Sequence, residues 1–275
     1  MSRKNIYQII SEQKVDPTDA FERIKFYLFS KKYRHNSFYE ITIYQFIERF
    51  IFSRMPIRES FTGLIDLIEG VGIINVKEKY VRDFDDVFAI SEIILCAINS
   101  SPKDYFGKGG EVQADLYYDI LYAIKSIVKN TGHKIVKMPY GEIIVTEDAV
   151  RDQAIWLSQD EEMSLALLEY THYANSGNIE AKASILTKLG KIIEPRLDNA
   201  PSTSTADVVK YLLNSFHLRH NNQSGKWSKE YIKDMNDTER EEWLDKLYNS
   251  IVHLIIEDEQ KAINSEVVEF RKNNH

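Results

Sequence analysis

The residues best suited to chemistry lie in one short stretch, Tyr211–Lys226, YLLNSFHLRHNNQSGK. An apolar helical pattern (Val208, Val209, Leu212, Leu213, Phe216) runs straight into the polar residues Arg219-His220-Asn221-Asn222-Gln223-Ser224-Gly225-Lys226. Arginine presents a planar fork of donors matched to a phosphate. Histidine changes charge near neutrality and can pass a proton in either direction. Together they suffice for RNA cleavage without a metal. The 2′-hydroxyl attacks the adjacent phosphate and a base accepts its proton. A cation stabilises the phosphorane and an acid protonates the leaving oxygen. General acid–base assistance is worth about 10²–10⁴ in rate, and charge stabilisation adds a comparable factor. Arg219 and His220 are therefore the candidate catalytic pair. Asn221, Asn222, His217, Asn214 and Lys226 are the candidate substrate-binding groups. The same atoms also fit an ordinary helix end, in which Arg and His complement the dipole and Asn221 takes a left-handed conformation.

Other chemistries lack a signal. Gly107–Gly110 has neither the spacing nor the strand–helix context of a phosphate loop, and there is no HExxH or GxSxG motif. The seven histidines are scattered, with no i, i+4 pair to ligate a metal from one helix. Cys96 is the single cysteine, which excludes an intrachain disulfide; within ISEIILCAI it reads as a small core residue. Asp160-Glu161-Glu162 and the cluster Asp83, Asp85 and Asp86 read as helix starts, where carboxylates suit the dipole. Tyr117-Tyr118 and Tyr170/Tyr173 read as core and rim residues. No metal and no cofactor is expected.

These residues must be positioned by helices. The chain has 275 residues, 43% hydrophobic and 28% charged, with only 11 Gly and 6 Pro, which favours long helices with short connections. Helical periodicity runs through Asp19–Lys31, Thr42–Arg54, Ser60–Ile68, Phe84–Ile98 and Asp115–Lys129. Two β-branched runs around Pro139-Tyr140-Gly141 predict a hairpin within Lys134–Thr146. Beyond it, helices are expected at Asp148–Leu157, Glu161–Ala174, Ile179–Leu197 and Thr205–Leu218. A last long helix begins near Thr238 and Glu241, which have capping-box spacing, and carries the stripe Leu244, Leu247, Tyr248, Ile251, Leu254 and Ile255. The expected fold is mainly α: a helical N-terminal region, 1–146, with a small β-hairpin, then an up-and-down antiparallel bundle, 147–275.

The formal charge of −7 excludes a strongly basic nucleic-acid coat, and no DNA contact is expected. The N-terminal MSRKNIYQIISEQK lacks the apolar run of a secretory signal, and no stretch has the length and apolarity of a membrane span. A cytoplasmic protein is expected.

Two stretches together resemble a family. Leu212-Leu213-Asn214-Ser215-Phe216-His217-Leu218-Arg219-His220-Asn221-Asn222 resembles the NN-x-N-I-R-H-N-N signature of the plasmid-borne, abortive-infection branch of the HEPN-domain family. Upstream, Ser176-Gly177-Asn178-Ile179-Glu180-Ala181-Lys182, then Ile185-Leu186, Leu189 and Ile193-Glu194-Pro195-Arg196, is similar to that branch's G-x-I-E-x-K … I-L … L-x-P-R helix. The resemblance covers about residues 150–260. It implies a helical bundle that forms a homodimer, with copies of the polar motif facing each other. It also implies RNA as a partner, through metal-independent cleavage in phage defence or through binding without cleavage. The family's catalytic motif is Arg, four to six residues, then His. From Arg219 those places hold Ser224, Gly225 and Lys226, so cleaving and binding-only forms both remain open, as does a helical scaffold unrelated to the family. A protein partner is expected for the N-terminal region by default. The charge is uneven: residues 147–275 hold 15 Lys and Arg against 23 Asp and Glu, so polyanion contact there must be confined to a small site.

Overall fold

Short polar side chains start most of the helices in the computed structural model, which describes residues 16–34, 40–58, 60–72, 83–101, 114–139, 141–198, 201–216, 218 and 234–273. The chain forms two compact units, Met1–Thr146 and Glu147–His275.

In the first unit, α1 (Pro17–Lys25) begins with a proline at N1, and Asp16 accepts hydrogen bonds from the Thr18 and Asp19 amides. It runs on through a π-helical turn, Phe26–Ser30, and buries Phe21, Ile24 and Leu28. A short antiparallel pair follows, β1 (Lys32–Arg34) with β2 (Glu40–Thr42). Thr42 and Gln45 then form a capping box on α2 (Ile43–Phe46). After α3 (Leu64–Gly70) comes α4 (Phe84–Asn99), capped by Asp83. Val87, Ile90, Ile94, Leu95 and Ala97 are all buried on α4, which packs against α1, α3, α5 (Ala114–Asn130) and β4. The hairpin β3 (His133–Met138) and β4 (Gly141–Thr146) pairs in register from His133 opposite Thr146 to Met138 opposite Gly141. The Ile144 amide donates not to β3 but to Glu92 Oε1 on α4, at 2.6 Å. Cys96 is buried, which raises its thiol pKa.

The second unit has α6 (Ala149–Ser158), α7 (Glu161–Tyr170), α8 (Ile179–Leu197), α9 (Thr205–Ser215) and α10 (Asp237–Asn273). Asp148, Asp160, Asn178 and Ser204 cap the first four. Their apolar faces meet in one core: Ala154 from α6, Leu167 from α7, Leu189 and Ile193 from α8, Val209 and Leu213 from α9, and Leu247, Ile251 and Ile255 from α10. Each fully buried Leu or Ile contributes roughly 1.5–3 kcal/mol by leaving water. Gly190 allows α8 and α9 to approach closely: a Cβ there would lie 3.0 Å from Leu213 Cδ2.

The protein is mainly helical, but several expectations need correction. A second strand pair, β1–β2, accompanies the expected hairpin; three residues per strand are too few to show alternation in sequence. Tyr118, expected among the core and rim residues, is 63% exposed on α5, because α5 turns Ile120, Ala123, Ile124 and Ile127 inward instead. The box at the start of α10 is Asn236 with Glu239, not Thr238 with Glu241: Asn236 Oδ1 accepts from the Glu239 amide at 2.9 Å and Glu239 Oε2 from the Asn236 amide at 3.0 Å. No helix of the described residues is long and apolar enough to cross a membrane. Gly107–Gly110 lies outside the described residues.

The close approach of α8 and α9 makes Gly190 and Leu213 energetically coupled. Gly→Ala in a helix gains about 1 kcal/mol, but at Gly190 the methyl meets Leu213 and cancels that gain. Urea unfolding should find Gly190→Ala near neutral alone and stabilising by about 1 kcal/mol in a Leu213→Ala background. Leu213→Ala itself should cost about 2–5 kcal/mol.

Candidate functional site

The helix that leads into the polar motif is well anchored. Ser204 Oγ caps α9 through the Asp207 amide, and Val209, Leu212 and Leu213 bury its apolar face. At its end the Phe216 amide donates to Leu212 O and the Leu218 amide to Leu213 O, at 3.0 and 2.9 Å. Leu218 is buried in the core. The chain therefore enters residue 219 from a fixed hydrophobic anchor. Asn214 is exposed on the last turn of α9. His217, Arg219, His220, Asn221, Asn222 and Lys226 lie outside the described residues, and so does the left-handed conformation expected of Asn221.

The second motif stretch is fully described. Gly177 has φ of +72°, a left-handed turn that suits glycine, and Asn178 Oδ1 then caps α8 through the Ala181 amide at 3.1 Å. One turn on, Lys182 points inward rather than to water. Its ammonium donates to Glu241 Oε1 at 2.7 Å and to Asp245 Oδ1 at 2.8 Å, both on the first turns of α10. The Gly177 amide donates to the same Glu241 oxygen at 2.7 Å. The Tyr170 hydroxyl, from the end of α7, donates to Asp245 Oδ1 at 2.7 Å. The Tyr170 ring stacks on Tyr248 with centroids 4.1 Å apart and planes 6° from parallel, and Lys182 Nζ lies 5.3 Å from the Tyr170 centroid.

A second buried cation stands nearby in the unit. Arg151 on the first turn of α6 is fully buried. Its Nε and Nη2 donate to Asp152 Oδ1 at 3.1 and 2.8 Å, and its Nη1 donates to Thr171 Oγ1. The Tyr248 hydroxyl donates to Leu167 O at 3.1 Å.

These contacts set the electrostatics. Hydrogen bonds from Lys182 and the Gly177 amide hold the Glu241 carboxyl below its ordinary value. Burial, then the hydrogen bond to Asp245, pushes the Tyr170 phenol far above the tyrosine range. Burial likewise raises Tyr248. The cluster thus works as a clamp: two ion pairs and a short phenol–carboxylate bond join the ends of α7, α8 and α10. Among the described residues no group of three His, Cys, Asp or Glu side chains could hold a metal ion.

Sequence reasoning placed Lys182 in a motif but missed its partners. Glu241 and Asp245 stand i, i+4 on α10, a face that carried a signal; the misassigned capping box concealed it. Tyr170 is buried as expected, with its hydroxyl turned to this cluster.

Comparison with protein-family models, with curated proteins and with solved structures returned no match for this chain.

The clamp predicts an acid-sensitive bundle. A carboxyl whose folded pKa lies below its unfolded value contributes stability that is complete above the ordinary value of 4.5 and is lost as pH falls through the folded one. Urea unfolding followed from neutral pH down past that value should show the loss, and Glu241→Gln should flatten it. Lys182→Met should cost about 1.5–3 kcal/mol at neutral pH, the range for hydrogen bonds to charged groups.

Proposed function

We propose that this protein is a HEPN-like, metal-independent endoribonuclease of bacterial defence, of the abortive-infection type. Its Arg219 and His220 act on the phosphodiester bond of a bound RNA. The observation that carries the reading is the pairing of two motif stretches with complementary roles. The G-x-I-E-x-K stretch supplies Lys182, which locks the ends of three helices. The R-H-N-N stretch follows directly in sequence on Leu218, which is buried in the core. A site without a metal requires pre-organised donors and proton carriers.

In the proposed reaction His220 accepts the proton of the 2′-hydroxyl as that oxygen attacks phosphorus. The guanidinium of Arg219 takes the charge that builds on the phosphorane oxygens. The P–O5′ bond breaks and the departing oxygen takes a proton, with His217 the second imidazole available for that step. The products are a 2′,3′-cyclic phosphate and a 5′-hydroxyl. Asn221, Asn222, Asn214 and Lys226 contact the substrate. The protein acts as a homodimer joined through the bundle, in the cytoplasm, and the first unit docks a protein partner.

The missing Arg-x4–6-His spacing favours a second reading, in which the same motif binds RNA, a nucleotide or a protein without cleaving it. The acidic balance of residues 147–275 applies to both, since RNA must be held by a few specific contacts and not by a diffuse basic surface.

Incubation of the purified chain with single-stranded RNA in EDTA should yield fragments with 2′,3′-cyclic phosphate ends. Arg219→Ala and His220→Ala should each lower the rate by about 10²-fold or more while leaving thermal unfolding unchanged. Cleavage that survives both substitutions removes this site assignment. RNA binding without cleavage, lost in the same variants, selects the second reading.

A further inference from the structure

The outward face of α5 carries a pattern that the fold does not use. Its inward face is the buried set Ile120, Ala123, Ile124, Ile127 and Val128. On the opposite side Tyr118 is 63% exposed and Tyr122 74%, and Lys125 and Lys129 are exposed after them. These residues follow one another at intervals of four, three and four. At about 100° and about 1.5 Å per residue, they form a straight stripe within an arc of about 60° and about 16 Å long. Burial explains neither tyrosine. A ring left open to water adds little to a core, and Lys, Glu or Gln would favour the helix more.

The stripe is also electrically one-sided. From residue 120 to residue 141 the chain holds four lysines, Lys125, Lys129, Lys134 and Lys137, and no carboxylate, although its formal charge is −7. Lys137 stands opposite Glu142 in the hairpin register. Lys125 and Lys129 have no ion-pair partner among the described residues. Asp119 lies beside the stripe, about 100° round the helix from Tyr118, and is already engaged. Lys31 pairs with it, and the Tyr33 hydroxyl donates to it at 3.4 Å. Lys31 is itself held between rings, 5.2 Å from the centroids of Tyr27 and Tyr33. The carboxylate next to the stripe is thus neutralised from within the fold, and the two lysines on the stripe are not.

We infer that the outward face of α5 is a docking site for single-stranded RNA, with Tyr122 and Tyr118 stacking on bases and Lys125 and Lys129 contacting phosphates. Every base offers a flat π-face, and every phosphate a charge that an unpaired ammonium can meet. A line of separate rings and cations suits an extended strand laid along a convex helix. A partner helix would need an apolar groove instead. The choice of RNA among polyanions rests on the activity proposed above; the face itself does not. It supplies what the acidic residues 147–275 lack, a place where the phosphate chain meets uncompensated positive charge, so it contributes most of the affinity. The stripe occupies one helix face and leaves the rest of the first unit to its protein partner.

The test is binding of a fluorescent single-stranded 2′-O-methyl oligouridylate to the full chain, since that strand has no free 2′-hydroxyl to attack its own phosphate. Tyr122→Ala should raise the Kd about tenfold, and Tyr122→Phe, which keeps the ring, should match the parent. The double variant K125Q/K129Q should lower the slope of log K against log salt by about 1.4 with the parent's thermal unfolding midpoint. Unlabelled single-stranded RNA should displace the probe, and polyglutamate should not. No binding by the parent, a Kd indifferent to Tyr122→Ala, or an unchanged salt slope in K125Q/K129Q overturns the proposal. Displacement by polyglutamate as readily as by RNA also overturns it, in favour of an acidic protein segment. Cleavage of ordinary RNA by the parent is scored separately. Its absence overturns the reaction proposed for Arg219 and His220, while the α5 variants still decide the docking site.

Discussion

One ammonium group ties together the ends of three helices. Lys182 leaves α8 one turn after its cap, and two carboxylates of α10 receive it at 2.7 and 2.8 Å. Asp245 also takes the Tyr170 hydroxyl from α7, and Glu241 also takes the Gly177 amide from the turn before α8. The desolvation of a lysine is unfavourable unless its charge is matched and its protons are used. Here both conditions hold, because the carboxylates stay partly open to water while the ammonium does not. The apolar core sets which faces pack together; the cluster specifies how far each helix slides along its neighbour. A shift of one turn would leave the lysine buried and unpaired.

The capping chemistry explains why so much of the helical framework was legible from residue types alone. Asp83, Asp148, Asp160 and Ser204 each accept amide hydrogen bonds at a helix start, and each is a short polar side chain just before an apolar-periodic run. The hairpin was legible because β-branched residues flank a Pro-containing turn. Three features escaped. The β1 and β2 strands are too short to show a period. Asn236 and Thr238 are both competent caps two residues apart, and only the backbone geometry distinguishes them. The ion pairs of Lys182 join residues 59 and 63 positions apart, a separation that no local pattern encodes.

Of the motif residues, Asn214 and the anchor Leu218 are described, and Arg219 and His220 are not. What is legible at that place is a division of labour. An apolar helix ends in a buried leucine, and polar residues follow it without a gap. In the other motif stretch the polar residue of interest turns inward and becomes structural. Lys182 does so because it finds fixed carboxylates within the unit.

The hairpin of the first unit bears on solubility as well as fold. A two-stranded sheet leaves two edges of backbone donors and acceptors open to another strand. On the β4 edge the Ile144 amide is already taken by Glu92, a side chain from the helix beneath. An incoming strand would find that donor spent and meet a carboxylate in its place. Once α4 and the hairpin have packed, Glu92 therefore guards an apolar strand of Ile143, Ile144 and Val145 against edge-to-edge growth between folded chains.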